Sequence, residues 1–254
     1  MIIDDAHESE VDEENYFVSM TDMMVGLVFI FIIMLMYFAV QFQDVTAKLT
    51  GADLERAKIL RDLERTLKAK GVPVTIEEQN GVLRLPDAIL FDSGRAELKP
   101  EGKVAVGHLA DALRDVIPCY TDSQSADASR PVRCPKTPYR IESVYVEGHT
   151  DVDRYSGGGM LRDNWDLSVV RATNTYRELT IRQPGLSQRC SRRQGRCEAV
   201  LSVSGYGAER PVDTGDSPAA KRSNRRIDLR LLMVTPDASA TSEVDKVSER
   251  LKTP

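Results

Sequence analysis

The sequence predicts an α/β protein: a single apolar N-terminal helix followed by an α/β sandwich, a mixed sheet with helices on one side. Three observations carry this prediction. Residues 23–40 contain no charged side chain. Beyond them, period-two stretches such as YRIESVYVEG (139–148) alternate with 3.6-period stretches such as NWDLSVVRA (164–172), the pattern of strands interleaved with helices. Glycines and prolines fall between the patterned stretches, where turns are needed.

The 254 residues suffice for one ordinary soluble domain plus accessories. A formal net charge of -5 leaves no global basic excess, so nucleic acid is not an expected partner. The acid is uneven. Asp4, Asp5, Glu8, Glu10, Asp12, Glu13 and Glu14 crowd residues 1–15, with no Lys or Arg among them. Such a tail is expected to be solvated and disordered.

A transmembrane helix is predicted over 16–41. Residues 23–40 would span about 27 Å as a helix, and starting at Tyr16 extends the segment to about 37 Å, against a hydrocarbon core of about 30 Å. A cleavable signal peptide fits poorly, because there is no basic n-region and the apolar run is too long. The segment reads as one uncleaved anchor. The next stretch, 42–73, is predicted as a linker helix. Leu60, Leu63 and Leu67 share one of its faces, and Gly71 and Pro73 end it. That stripe suits either a short coiled coil between two copies or packing on the adjacent domain, and the residues leave both open.

In the domain predicted over 74–235, VTIEEQNGVLRLP signals a hairpin with Asn80-Gly81 in a type I′ turn. A helix is expected over about 100–117 and another from Asn164 to about Arg182. Between them the polar insertion 118–138 precedes the strand 139–148. A loop after Arg182 leads to the strand AVLSVSG and a final strand RIDLRLLMV. Residues 236–254 read as a polar, frayed tail.

All four cysteines, Cys119, Cys134, Cys190 and Cys197, follow the apolar helix. An even count on one side of a membrane points to disulfides in an oxidising compartment. The pairs nearest in sequence are Cys119–Cys134 and Cys190–Cys197, one of three connectivities. No C-x2-C spacing occurs and the histidines are His7, His108 and His149, so neither a metal site nor a cofactor is expected. The cysteines and the downstream domain favour an N-terminus in the cytoplasm and a domain outside. The positive-inside rule pulls weakly the other way, since Lys48, Arg56 and Lys58 follow the helix and none precedes it. Arg189, Arg192, Arg193 and Arg196 surround the last two cysteines and read as a solvated disulfide loop before an anionic-polymer site.

Four motifs stand in an informative order: LFDSGRAELKPEG (90–102), EGHTD (147–151) with NWDLSVVRA (164–172), GYGAERP (205–211) and RSNRRIDL (222–229). Together they resemble the OmpA-like peptidoglycan-binding domain over roughly 74–235. The departure is the loop 152–163, which is long and contains Gly157-Gly158-Gly159. The resemblance implies that Asp151 and Arg171 grip the ligand, with Asn164 and Leu167 lining the same pocket. It also implies Asn224 and Arg225 as peptidoglycan-binding residues, in a stretch that partly holds the fold. The chemistry suits diaminopimelate, whose ammonium fits a carboxylate and whose carboxylates fit a guanidinium fork. No nucleophile with a base is evident, so the chain is not expected to be an enzyme, and His149 reads as a satisfied structural histidine.

Asp22 opens the apolar run SMTDMMVGLVFIFIIMLMYFAV (19–40). It would either cap a helix starting at Met23 or lie under two turns inside one starting near Tyr16. Val18, Gly26, Phe29 and Ile33 share its face, and the span holds no second ionisable residue. A buried carboxylate would then need a partner from another polypeptide or a water path. An acidic tail, one helix with an early aspartate, a linker and an OmpA-like domain resemble the B subunit of flagellar-type stators. The Phe/Ile-rich helix is similar, more narrowly, to the B subunit of the Zorya anti-phage defence system. That resemblance implies Asp22 as the proton or sodium carrier, a homodimer, and a complex of five multi-span A subunits with two B. A non-conducting membrane-tethered wall anchor is the competing structural reading.

Overall fold

The computed structural model describes residues 6–124, 134–155, 161–193 and 195–235. The first five residues, the middle of the cysteine-bearing insertion, Gly157-Gly158-Gly159 and the tail expected over 236–254 lie outside the described residues. The architecture is the mixed α/β arrangement expected: one N-terminal apolar helix, then a sheet-and-helix domain.

Helix α1 spans Ala6–Ala69. The acidic segment expected to be disordered is thus helical from Ala6. Its composition explains the correction: the first proline is Pro73, so nothing breaks the helix early, and carboxylates near a helix N-terminus oppose its macrodipole favourably. The described residues divide into two compact units, 6–49 and Thr50–Thr235. In the first, the large apolar side chains from Met23 to Val40 are all exposed. This is the one helix among the described residues long and apolar enough to cross a membrane.

In the second unit, α1 behaves differently. Ile59, Leu60, Leu63 and Leu67 are fully buried in the same core as Leu109, Leu113 and Ile117. Of the two uses for the leucine stripe, the structure takes packing on the chain's own domain. The helix ends where Gly71 adopts φ +77°. Val72 N–H reaches the Leu67 carbonyl and Gly71 N–H the Lys68 carbonyl, each at 3.0 Å, the paired bonds of a glycine C-cap.

Strands β1 (Thr75–Glu77) and β2 (Val82–Pro86) form the predicted hairpin. Glu77 opposes Val82, so residues 78–81 connect them, not a two-residue type I′ turn. Gly81 at φ +71° closes the longer loop, and the Asn80 side chain bonds the Glu77 carboxylate, which holds Asn80 inside the loop's own network. A short helix α2 (Asp87–Leu90) and the long α3 (Pro100–Tyr120) follow. Then come β3 (Asp122–Ser123), β4 (Ile141–His149) and α4 (Asn164–Arg182). The segment expected to be a loop after Arg182 instead forms a hairpin, β5 (Arg189–Arg193) and β6 (Arg196–Ala199). Strand β7 (Leu201–Gly205), α5 (Pro218–Asn224) and β8 (Arg226–Met233) complete the chain.

The main sheet has the order β1-β2-β8-β4-β7, with β4 and β7 parallel and the other pairs antiparallel. A small second sheet, β3-β5-β6, carries the disulfide Cys190–Cys197, and Cys119–Cys134 closes the insertion beside it. Register assigns the faces of the main sheet, because side chains alternate along each strand. Val144, Val146, Ile227, Leu229 and Leu231 are buried toward the helices. Gly148 shares that face, and a Cβ there would meet the Ser168 carbonyl oxygen at 2.0 Å. Only glycine lets α4 lie so close to β4.

Candidate binding site

The functional side chains meet where β2 and β4 end and β8 begins. Asp87 follows β2, Asp151 follows β4, Arg225 precedes β8, and Asn164 and Arg171 come from α4. The Asp163 side chain fixes the start of α4 by accepting from Asp166 N–H at 3.0 Å, an N-terminal cap. Asn164 then ties down the loop after β4: its Nδ2 donates to the carbonyls of Asp151 at 3.2 Å and Asp153 at 3.0 Å, and its Oδ1 accepts from Tyr155 N–H at 3.2 Å.

Asp151 and Arg171 were expected to act together, and both line one cleft of about 390 Å³. They are not paired with each other. Arg171 Nη1 lies 3.0 Å from Asp87 Oδ1, while its Nε and Nη2 donate to the carbonyls of Arg95 at 2.8 Å and Asp92 at 3.3 Å. Its guanidinium also lies 5.0 Å over the Phe91 ring, and the residue is 2% exposed. Asp151 pairs with Arg225 Nη1, and Arg225 Nε reaches Asp87 Oδ2 at 3.9 Å. The four groups form a chain, Arg171–Asp87–Arg225–Asp151, whose formal charges cancel. Arg225 is its accessible member, with 35% of its side chain exposed.

Burial dominates the electrostatics of the deeper pair. Desolvation pushes the Asp87 carboxyl above its ordinary range, against the pull of Arg171 and then Arg225. Desolvation likewise lowers Arg171, with Asp87 opposing. Both directions say that this pair is held by the fold at an electrostatic cost. Leu167 is buried and lines the cleft, as expected. Asn224 does not. Its Oδ1 accepts from Val212 N–H at 2.8 Å and Asp213 N–H at 3.1 Å, and its Nδ2 donates to the Asp213 carbonyl at 2.7 Å, so it pins the loop before α5. Asp87 is the residue that sequence reasoning missed. It stands alone in RLPDAIL, with no local pattern marking it.

A second charged group lies on the sheet face turned away from α4. Glu147 and Asp228 are directly opposite across β4 and β8, and both are buried. Arg230 Nε bonds Glu147 Oε1 at 2.9 Å, Arg226 Nε bonds Asp228 Oδ2 at 2.9 Å, and Arg84 Nε reaches Asp228 Oδ1 at 3.2 Å. His149 lies between, 3.7 Å from Asp228 and 4.0 Å from Glu147, stacked 5.2 Å from the Tyr206 ring. It was expected to be a satisfied histidine, yet neither ring nitrogen has a hydrogen-bond partner. Burial, then Arg226, Arg230 and further arginines, lower its pKa to about 3, so the ring is neutral at physiological pH. Glu147, His149 and Asp228 come within metal-ligand range of one another, but three guanidiniums already hold the carboxylates. Arg84 also reaches Glu77 Oε2 at 3.0 Å, so the three guanidiniums are already matched by three carboxylates, and a divalent cation would have to displace an arginine.

Asp22 lies well inside α1 and is exposed on the surface of this chain. It is not an N-terminal cap, since the helix continues back to Ala6. Gly26 on the same face has nothing within 4 Å of a Cβ built there. The arginine-rich stretch is the disulfide hairpin, with Arg192 3.9 Å from Asp122 and Arg193 3.2 Å from Glu142.

No protein-family profile matches the chain. The chain is similar to motility protein B of Bacillus subtilis, 25% identical over 175 residues, 69% of this chain and 50% of that protein. It is also similar to the probable lipoprotein YiaD of Escherichia coli, 28% identical over 179 residues, 70% of this chain and 62% of that one. The chain thus spans about half to three-fifths of the length of these curated relatives. Among solved structures, the periplasmic domain of Helicobacter pylori MotB aligns with a TM-score of 0.44 and 18% identity, covering 68% of this chain and 87% of that one.

Proposed function

We propose that this chain is the peptidoglycan-anchored B subunit of an ion-driven inner-membrane motor. The observation that carries the reading is the cleft. It is lined by Asp151, Arg171 and Arg225, with Asp87 buried behind Arg171, a partly desolvated set of cancelling charge that suits a small zwitterion and not a bare cation or anion. Diaminopimelate in the peptide stem is such a group. Asp151 takes its ammonium. The exposed fork of Arg225, with the remaining N–H groups of Arg171, takes a carboxylate. The similarity to motility protein B supports joining this cleft to a motor.

The apolar helix supplies the membrane part. Its large apolar side chains from Met23 to Val40 are exposed among the described residues and call for lipid or other helices. Asp22 is the ion carrier, alternating between charged and neutral inside a pocket built by multi-span A subunits. Two copies pair, because two linked wall-bound domains fix an axis that one could not. The complex is five A to two B, and the N-terminus is cytoplasmic. The Phe/Ile-rich span favours Zorya anti-phage defence as the setting. A flagellar-type stator is the second reading, favoured by the similarity to motility protein B itself.

Asp22→Asn tests the motor. Asparagine is nearly isosteric and exchanges no proton, so expression and co-purification with the A subunit should persist while motor-dependent function is abolished. Retained function would return the chain to a passive tether. Thiol labelling without reductant tests the orientation: all four cysteines should be unreactive, and free thiols would place the domain in the cytoplasm.

A further inference from the structure

Trp165 is the single tryptophan of the chain. It stands in the first turn of α4 and remains 48% exposed. Its ring lies on the turn after β7: a Cβ built at Gly207 would sit 3.5 Å from three atoms of the indole. That turn is tied to the cleft through Thr150. The Gly207 carbonyl holds Thr150 N–H at 2.9 Å, and both Thr150 and the neighbouring Asn164 line the cleft. One helical turn on, Val169 packs against Gly205 and still leaves 41% of its surface open. The arrangement is an aromatic ring braced from one side by backbone, open to solvent, and one residue removed from the charged cleft.

An indole combines a broad apolar face with an N–H at its edge, so it suits a ligand that is apolar on one face and polar around its rim. A pyranose ring is built that way, with C–H bonds on its face and oxygens around it. We infer that Trp165 is a stacking platform for a sugar ring of the glycan strand, so that the chain reads stem peptide and glycan together. The inference rests on the peptidoglycan reading of the cleft. Two amino acids separate diaminopimelate from the sugar-borne lactyl group, and two extended residues reach about 7 Å. With its diaminopimelate in the cleft, a stem peptide therefore delivers its sugar close to the cleft mouth.

The test uses the full-length protein in detergent micelles and two probes: the free stem tripeptide containing diaminopimelate, and the same tripeptide on its N-acetylglucosamine–N-acetylmuramic acid disaccharide. As there is one tryptophan, emission reports this position alone. The disaccharide probe should shift that emission and bind about three- to tenfold tighter than the free peptide by calorimetry. Trp165→Ala should erase the difference while leaving affinity for the free peptide unchanged, and Trp165→Phe should keep part of it. Equal affinities in the wild-type protein, or an undiminished difference in Trp165→Ala, would overturn the platform and leave the cleft reading standing. Loss of free-peptide binding in Trp165→Ala would also overturn it, by making the ring a structural brace. If neither probe binds the wild-type protein, the peptidoglycan reading itself fails.

Discussion

The two charged clusters of the domain are made of the same materials and differ in access. In the cleft, Asp151 faces Arg225, which reaches solvent, and Asp87 behind them holds Arg171. On the sheet face, Glu147 and Asp228 face Arg84, Arg226 and Arg230, Glu77 completes the balance at Arg84, and Glu147, Asp228 and His149 are sealed. Buried Arg–carboxylate pairs are therefore not by themselves a site. A group saturated by its own chain and closed to solvent can only hold the fold together, whereas one with an open edge can exchange internal partners for a ligand's.

Glu147→Ala should show the largest effect on stability. It leaves Arg230 with the Asn80 carbonyl and removes the acceptor of the Tyr206 hydroxyl, and breaking one partner of a buried pair costs about 3–5 kcal/mol. Urea unfolding should register this loss, while the fraction that remains folded still pellets with peptidoglycan. A pelleting defect in folded Glu147→Ala would erase the distinction between the clusters.

Arg171→Ala should lose stability and binding together, because it leaves the buried Asp87 carboxylate without its main partner. A cost of about 3 kcal/mol is expected. Adding Asp87→Asn should recover much of the stability and none of the binding. Recovered pelleting in the double variant would show that Arg171 only neutralises Asp87.

Asp151→Ala should be cleaner. Arg225 can be rehydrated when its partner is removed, so the melting curve should move little. Affinity for peptidoglycan should fall by about 2–5 kcal/mol if the carboxylate meets a ligand ammonium. Unchanged binding would move the site elsewhere.

The last predicted effect is a pH dependence carried by His149. Its pKa is about 3 in the folded chain against an ordinary 6.5. Between those values the unfolded chain binds a proton that the folded chain does not. The contribution is therefore present above about pH 6.5 and fades as pH falls toward 3. It is of the order of a few kcal/mol at most. Thermal melts of His149→Gln should lose more of their slope over this window than melts of a surface His108→Gln control. Parallel slopes for the two variants would assign the acid sensitivity to the carboxylates.

Much of this was legible without coordinates. The helix α4 begins and ends where its pattern predicts, at Asn164 and Arg182, because its cap and period are local properties. The apolar span was equally plain, since the uncharged run over 23–40 is long enough to cross a bilayer and too apolar to be left in water. The resemblance carried by GHTD, NWDLSVVRA and NRR grouped Asp151, Asn164, Leu167, Arg171, Asn224 and Arg225, and all but Asn224 line one cleft. The loop after Arg182 failed because β5 and β6 find their ladder partners in β3 and in each other, and a strand rich in arginine has no hydrophobic alternation to announce it.

Local chemistry, then, was written in the sequence: the helical period of α4, the uncharged run over 23–40 and the types of the charged residues. Partnership was decided only by the tertiary structure. Asp151 takes Arg225 instead of Arg171, Asp87 joins from a strand end far away in sequence, and the leucine stripe of α1 folds onto its own domain. Pairing of charges depends on distances among residues brought together by sheet register, and interaction energy falls with separation and with water between the groups. No period in the chain encodes that distance.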